Sequence, residues 1–214
     1  MSQQSGPQDS LVLSYLGLRK AVGIIGCALP FVLVFGKFLL QGPGREPSIS
    51  GYYYTDMRDV FVGSLCAIGI FLMSCRGYDW RDEIAGRMAC VFAIGVALFP
   101  TTPYADATAG DRIIGRIHLS FAALLFLTLA YFSIVLFTET ALDKSPTSQK
   151  LKRNKVYLVC GYTILACILC MAVIALPPVR PLVERFEPVF WLESIAVFVF
   201  GVSWLTKGET ILKD

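Results

Sequence analysis

Asp59, His118 and Glu193 are ionisable side chains placed inside, or at the mouth of, long apolar stretches of a 214-residue chain. At the centre of a membrane helix an ionised group costs on the order of 2.5–3.5 kcal/mol, so each of the three calls for a partner or a purpose. An imidazole beside a carboxylate can do general acid–base chemistry. In that reading His118 is the base, oriented by Asp59 or Glu193, for hydrolysis or group transfer on a lipid headgroup. Ser50 and Thr55 are conceivable nucleophiles, although neither sits in a recognisable motif. His118 is the only histidine, which excludes any site needing two imidazoles. Cys167 and Cys170 have no histidine beside them and read as small packing residues, so neither a metal nor a cofactor is expected.

Helical spacing lets the three groups meet. Asp59 opens the second apolar stretch, His118 lies one to two turns into the fourth, and Glu193 lies about one turn into the sixth. At a rise of about 1.5 Å per residue these depths are similar, roughly 5–10 Å below one face of the bilayer. Residues three and four apart share a helix face, which aligns Asp111, Gly115 and His118 on one stripe and Glu193, Val197, Phe200 and Trp204 on another. Gly63 and Ala67 offer a close-packing surface on the second stretch. Plainer roles stay open for each residue. Asp59 can be a first-turn acid favoured by the helix dipole. His118 can simply bond a neighbouring backbone group or acid, and Glu193 can form a buried ion pair with His118 or Arg116.

Two connecting segments add polar and aromatic groups at the same level. Tyr52, Tyr53 and Tyr54 precede Asp56, Arg58 and Asp59, and Phe99-Pro100-Thr101-Thr102-Pro103-Tyr104 gives a rigid exit from the third stretch. Tyrosines also favour the headgroup level for their own sake. All six cations assigned to this side are arginines, whose planar fork holds a carboxylate or phosphate in two places at once. The candidate ligand-binding set is therefore Tyr52, Tyr53, Tyr54, Arg58, Asp59, Arg112, Arg116, His118 and Glu193. Pairing with nearby acids is the competing role for the arginines.

The elements that must carry these residues are helices. Six apolar stretches, at residues 21–41, 59–75, 88–100, 113–138, 157–177 and 189–206, are each about long enough to cross a bilayer. A hydrophobic content of 55% and a mean hydropathy of +0.62 exceed what a soluble domain of this length buries. The expected fold is all-α: a polytopic transmembrane bundle of six spans. Twelve of the nineteen Lys and Arg fall on the side of the two termini, six on the other, and Lys37 lies within the first stretch, so the positive-inside rule places both termini in the cytoplasm. Residues 1–18 form a cytoplasmic segment whose Leu11–Leu18 run can lie as an interfacial helix or extend the first span; residues 19–207 form the six-helix domain and 208–214 a cytoplasmic tail. Met1–Ser10 lacks the cation of a cleaved signal, and no cysteine falls in a loop facing outside, so no structural disulfide is implied. A formal charge of +3 gives no nucleic-acid footprint; membrane lipids are the expected partners, and assembly into a homo-oligomer stays open.

Phe99-Pro100, a turn, and then His118 in Ile-His-Leu-Ser-Phe-Ala-Ala resemble the FP…HxxxA pattern of uncharacterised bacterial six-helix membrane proteins, with a looser similarity to the DRAM/Frag-like group. The resemblance implies a six-helix protein of a cell membrane, the bacterial inner membrane first of all, with relatives linked to lipid handling or membrane organisation. It implies no catalytic mechanism. The leading expectation is a non-enzymatic protein whose outward-facing polar cavity binds a lipid or other anionic amphiphile. The alternative is a membrane-embedded hydrolase or transferase using His118 with Asp59 or Glu193, and the third is a proton-coupled transporter.

Overall fold

The computed structural model describes residues 7–75, 79–140 and 146–212, so Arg76, Lys144 and Lys213 of the charge pattern lie outside the described residues. Among those described there is helix and loop but no strand. The helices are α1 (Pro7–Gln41), α2 (Arg58–Ser74), α3 (Trp80–Leu98), α4 (Ala109–Tyr131), α5 (Ser148–Ile174), the single turn α6 (Arg180–Val183) and α7 (Pro188–Lys207). A short 3-10 turn, Ser50–Tyr54, lies in the connection before α2, and α4 ends in one π-turn, Phe132–Leu136.

Four of the helical segments are long and apolar enough to cross a membrane: Tyr15–Gln41, Ala109–Leu136, Ser148–Ile174 and Pro188–Lys207. Even the shortest, at 20 residues, spans about 30 Å. The chain is thus an all-α bundle with the helices of a membrane protein. α2 has 17 residues, and α3 has 19 with Arg81, Asp82, Glu83 and Arg87 in its first turns.

Local signals set where the helices begin. Asp79 caps α3 by accepting the backbone N–H groups of Arg81 and Asp82, and the Arg81 guanidinium beside it holds its carboxyl below the usual range. That cap starts α3 two turns before the apolar stretch at residue 88. Thr108 and Asp111 form a reciprocal capping box at the start of α4. α1 continues without interruption through Leu11–Leu18, so that run extends the first helix.

Each long helix packs against its two neighbours in a closed ring, in the order α1, α2, α3, α4, α5, α7 and back to α1. One end of the ring carries the connections 42–57, 99–108 and 175–187 and is called the cap end; the other holds Tyr15, Arg153 and Glu209 and is called the termini end. Small residues set the tightest crossings. A Cβ on Gly201 would lie 2.6 Å from the Cys27 backbone nitrogen, and one on Gly23 would lie 2.9 Å from the Gly201 carbonyl oxygen, so α1 and α7 meet backbone to backbone. Gly69 and Gly86 do the same for α2 and α3. Gly63, expected from its spacing to be the close-packing residue of α2, faces open space, because no neighbouring helix comes to that stripe. At the termini end the ring is filled by Phe132, Phe137, Tyr157, Phe200 and Trp204. A Ser133–Ser203 hydroxyl pair at 2.9 Å joins the π-turn to α7.

Candidate functional site

At the cap end, the close of α3 leaves a carbonyl open, and the histidine takes it up. A helical carbonyl bonds the N–H four residues on; for Val96 that residue is Pro100, which has no N–H, and at Phe99 the backbone turns extended (φ −96°, ψ 111°), so the Phe99 carbonyl leaves the helix without a helical partner. Phe99 closes α3, and its carbonyl oxygen lies 2.6 Å from His118 Nδ1. A carbonyl only accepts, so Nδ1 carries the proton and donates. In the neutral ring Nε2 is then a lone pair, and it points at Ser50 Oγ, 3.0 Å away. His118 and Ser50 are buried, at 4% and 8% exposure.

Glu193 completes the junction from α7. Its Oε2 accepts the backbone N–H of Ile49 at 2.6 Å and of Ser50 at 3.3 Å, and its Oε1 stands 3.5 Å from Ser50 Oγ. Ser50 has one proton to donate, and the nearer acceptor is His118 Nε2. Three elements therefore converge on the loop before α2: α3 through Phe99, α4 through His118 and α7 through Glu193. Close packing holds them in place. A Cβ on Gly115, one turn before His118, would lie 1.9 Å from Thr102 Oγ1, so only glycine lets the 99–103 segment lie on α4 there. Ser48 bonds the Tyr104 hydroxyl at 2.9 Å, and the Tyr54 hydroxyl donates to the Thr101 carbonyl at 2.6 Å, which ties the two connections into one cap.

Of the residues expected to form a shared site, the junction unites only His118 and Glu193, and it does so through Ser50. Asp59 stands on the exposed side of the first turn of α2, and no hydrogen bond or ion pair joins it to the junction among the described residues. Glu193 is held by backbone N–H groups rather than by Arg116, which is exposed. Arg112 donates to the Ala107 carbonyl, Arg58 donates to the Tyr53 hydroxyl at 2.7 Å and covers its ring, and Tyr52 is fully buried. Lys37 pairs with Glu46 at 2.6 Å. No group of three or more His, Cys, Asp or Glu able to hold a metal ion occurs among the described residues.

Two spaces adjoin this region. Beneath Ser50 and Glu193, on the axis of the ring, a cavity of about 50 Å³ is walled by hydrocarbon from α1, α2, α3, α4 and α7. Outside the ring, between the cap-end halves of α1 and α7, runs a groove of about 1020 Å³. Phe31, Phe35, Phe38, Trp191 and Phe198 line it and are 40–65% exposed. Arg45 stands at its rim, bonded through Nε and Nη2 to Glu187 Oε2 and stacked 4.5 Å and 4.6 Å from the rings of Phe190 and Trp191. Ser50 reads in the sequence as a conceivable nucleophile without a motif, but its place between His118 and Glu193 does not, and Arg45 reads as one loop cation among six, so the groove is missed there. Pro100, which ends α3 and withholds an N–H from Val96, is the readable signal for open carbonyls near Phe99. In comparison with known proteins, the chain matches no protein-family model, and neither the curated proteins nor the solved structures give a match.

Proposed function

We propose that the protein is a multi-pass protein of a cell membrane, that all six long helices cross the bilayer with both termini in the cytoplasm, and that its outward half binds a lipid or similar amphiphile in the groove between α1 and α7. The observation that carries the reading is the groove itself. Its volume of about 1020 Å³ lies at the upper end of the roughly 300–1,000 Å³ typical of small-molecule sites. Rigid aromatic rings line it where acyl chains would run, and a guanidinium stands where a headgroup would begin. Arg45 Nη1 remains free to reach a phosphate or carboxylate while Nε and Nη2 hold Glu187. The likeness of Phe99-Pro100…His118 to the pattern of uncharacterised bacterial six-helix membrane proteins supports the same setting.

Native mass spectrometry of the full chain released from nanodiscs of mixed phospholipids tests this. An adduct of lipid mass is expected on the wild type and lost by about tenfold in occupancy for Arg45→Ala combined with Trp191→Ala. Equal lipid occupancy in both proteins would remove the groove as the binding site.

A further inference from the structure

Ser50, His118 and the backbone N–H groups of Ile49 and Ser50 carry more than a structural junction needs. A serine hydroxyl 3.0 Å from an imidazole lone pair, with the other ring nitrogen fixed by a third group, is the arrangement that activates a nucleophile. Here the third group is the Phe99 carbonyl, which selects the tautomer that leaves Nε2 basic. The carboxylate of Glu193 adds the second observation. One of its oxygens receives two converging backbone N–H groups, and the other faces the Ser50 hydroxyl at 3.5 Å. A carboxylic acid just cut from an ester by Ser50 would lie in the same way, with one oxygen on the donors that stabilise the negative charge of the transition state.

We infer that Ser50 is the nucleophile of an esterase-type site for carboxylic esters with a short apolar acyl group, that His118 is its base, and that Glu193 occupies the acyl position in the resting protein. The acyl size follows from the cavity of about 50 Å³ beneath Ser50 and Glu193, whose walls include Leu29, Phe61, Leu125, Phe126, Val197 and Phe200. Displacing Glu193 enlarges it by the space of a carboxyethyl group. Entry runs between α4 and α7. These two helices barely touch, and no residue of α5 lines the cavity.

The steps balance without a redox partner. Ser50 Oγ bonds to the acyl carbon as its proton passes to His118 Nε2. The bond from the acyl carbon to the leaving alkoxide oxygen breaks, and that oxygen takes the proton. Water then adds its oxygen to the acyl carbon and gives a proton to His118; the bond to Ser50 breaks, Ser50 regains the proton, and the carboxylic acid leaves. The inference does not depend on lipid binding in the α1–α7 groove, which a different measurement reads.

The full chain in nanodiscs is treated with a short-chain alkyl fluorophosphonate, which loses fluoride as the serine oxygen bonds to phosphorus, and the modified residue is located by peptide mass spectrometry. An adduct on Ser50 is expected, absent in Ser50→Ala and formed on the order of 100-fold more slowly in His118→Asn. Glu193→Ala and Glu193→Gln, which vacate or weaken the hold on the acyl position, are expected to raise the labelling rate several-fold, and hydrolysis of p-nitrophenyl butyrate is expected to follow the same order. A merely structural Glu193 would produce no gain. No adduct at Ser50 in the wild type or in either Glu193 variant, with all three melting cooperatively, would overturn the inference.

Discussion

His118 gives both ring nitrogens to oxygen partners, and those partners decide how the site responds to substitution. Removing the ring in His118→Ala takes the donor from the part-buried Phe99 carbonyl, at about 1 kcal/mol. Chemical denaturation in detergent should show that loss, with His118→Asn, which still carries an amide donor, retaining part of it. Glu193→Gln keeps an acceptor for the Ile49 and Ser50 N–H groups and should cost less than Glu193→Ala, which strands both. At this scale the sequence is informative where placement is expensive. An imidazole and a carboxylate in apolar surroundings announced themselves, whereas Asp59 met the plainer reading of a first-turn acid, and Ser50 stood out only as one of two hydroxyls without a motif, because nothing penalises a serine in a loop. The partner of Glu193 was also out of reach, since backbone N–H groups carry no residue type.

Among the elements, contact between backbones matters more than the spacing of small residues along one helix. Gly63 and Gly201 look alike in sequence, each followed by residues suited to a membrane helix. Only Gly201 has a neighbour, with the Cys27 nitrogen 2.6 Å from its would-be Cβ. Gly201→Ala should therefore force α1 and α7 apart at about 1–3 kcal/mol, seen as a lower melting temperature. Gly63→Ala, which meets nothing within 4 Å, should be neutral or stabilise by up to about 1 kcal/mol through higher helix propensity. The existence and order of the helices were readable from hydropathy, and their starts from Asp79 and Thr108. Which helix meets which was not, because ring closure pairs α1 with α7 across most of the chain.

For the whole molecule, the number of spans turns on α2 and α3, which lie in the ring beside α1, α4, α5 and α7, the helices long and apolar enough to cross a bilayer. Apolar content alone marks four segments, and the two shorter helices enter the count through their place in the ring. Glu83, exposed near the start of α3, separates the alternatives. With six spans a cysteine at position 83, in a background cleared of native cysteines, faces the cytoplasm and resists a membrane-impermeant maleimide applied to intact cells, while one at Asp106 is labelled. Equal labelling of both would mean that α2 and α3 enter and leave on one side.

The grip of Glu193 on the Ile49 amide joins residues 144 positions apart, and this has a consequence for biosynthesis. At about 5–20 residues per second, the ribosome takes roughly 7–30 s to pass from Ile49 to Glu193. Throughout that interval the Ile49 and Ser50 amides are without the Glu193 carboxylate that holds them in the finished fold. The nascent protein is thus built as an unlocked intermediate, and arrival of its final segment is the event that closes it.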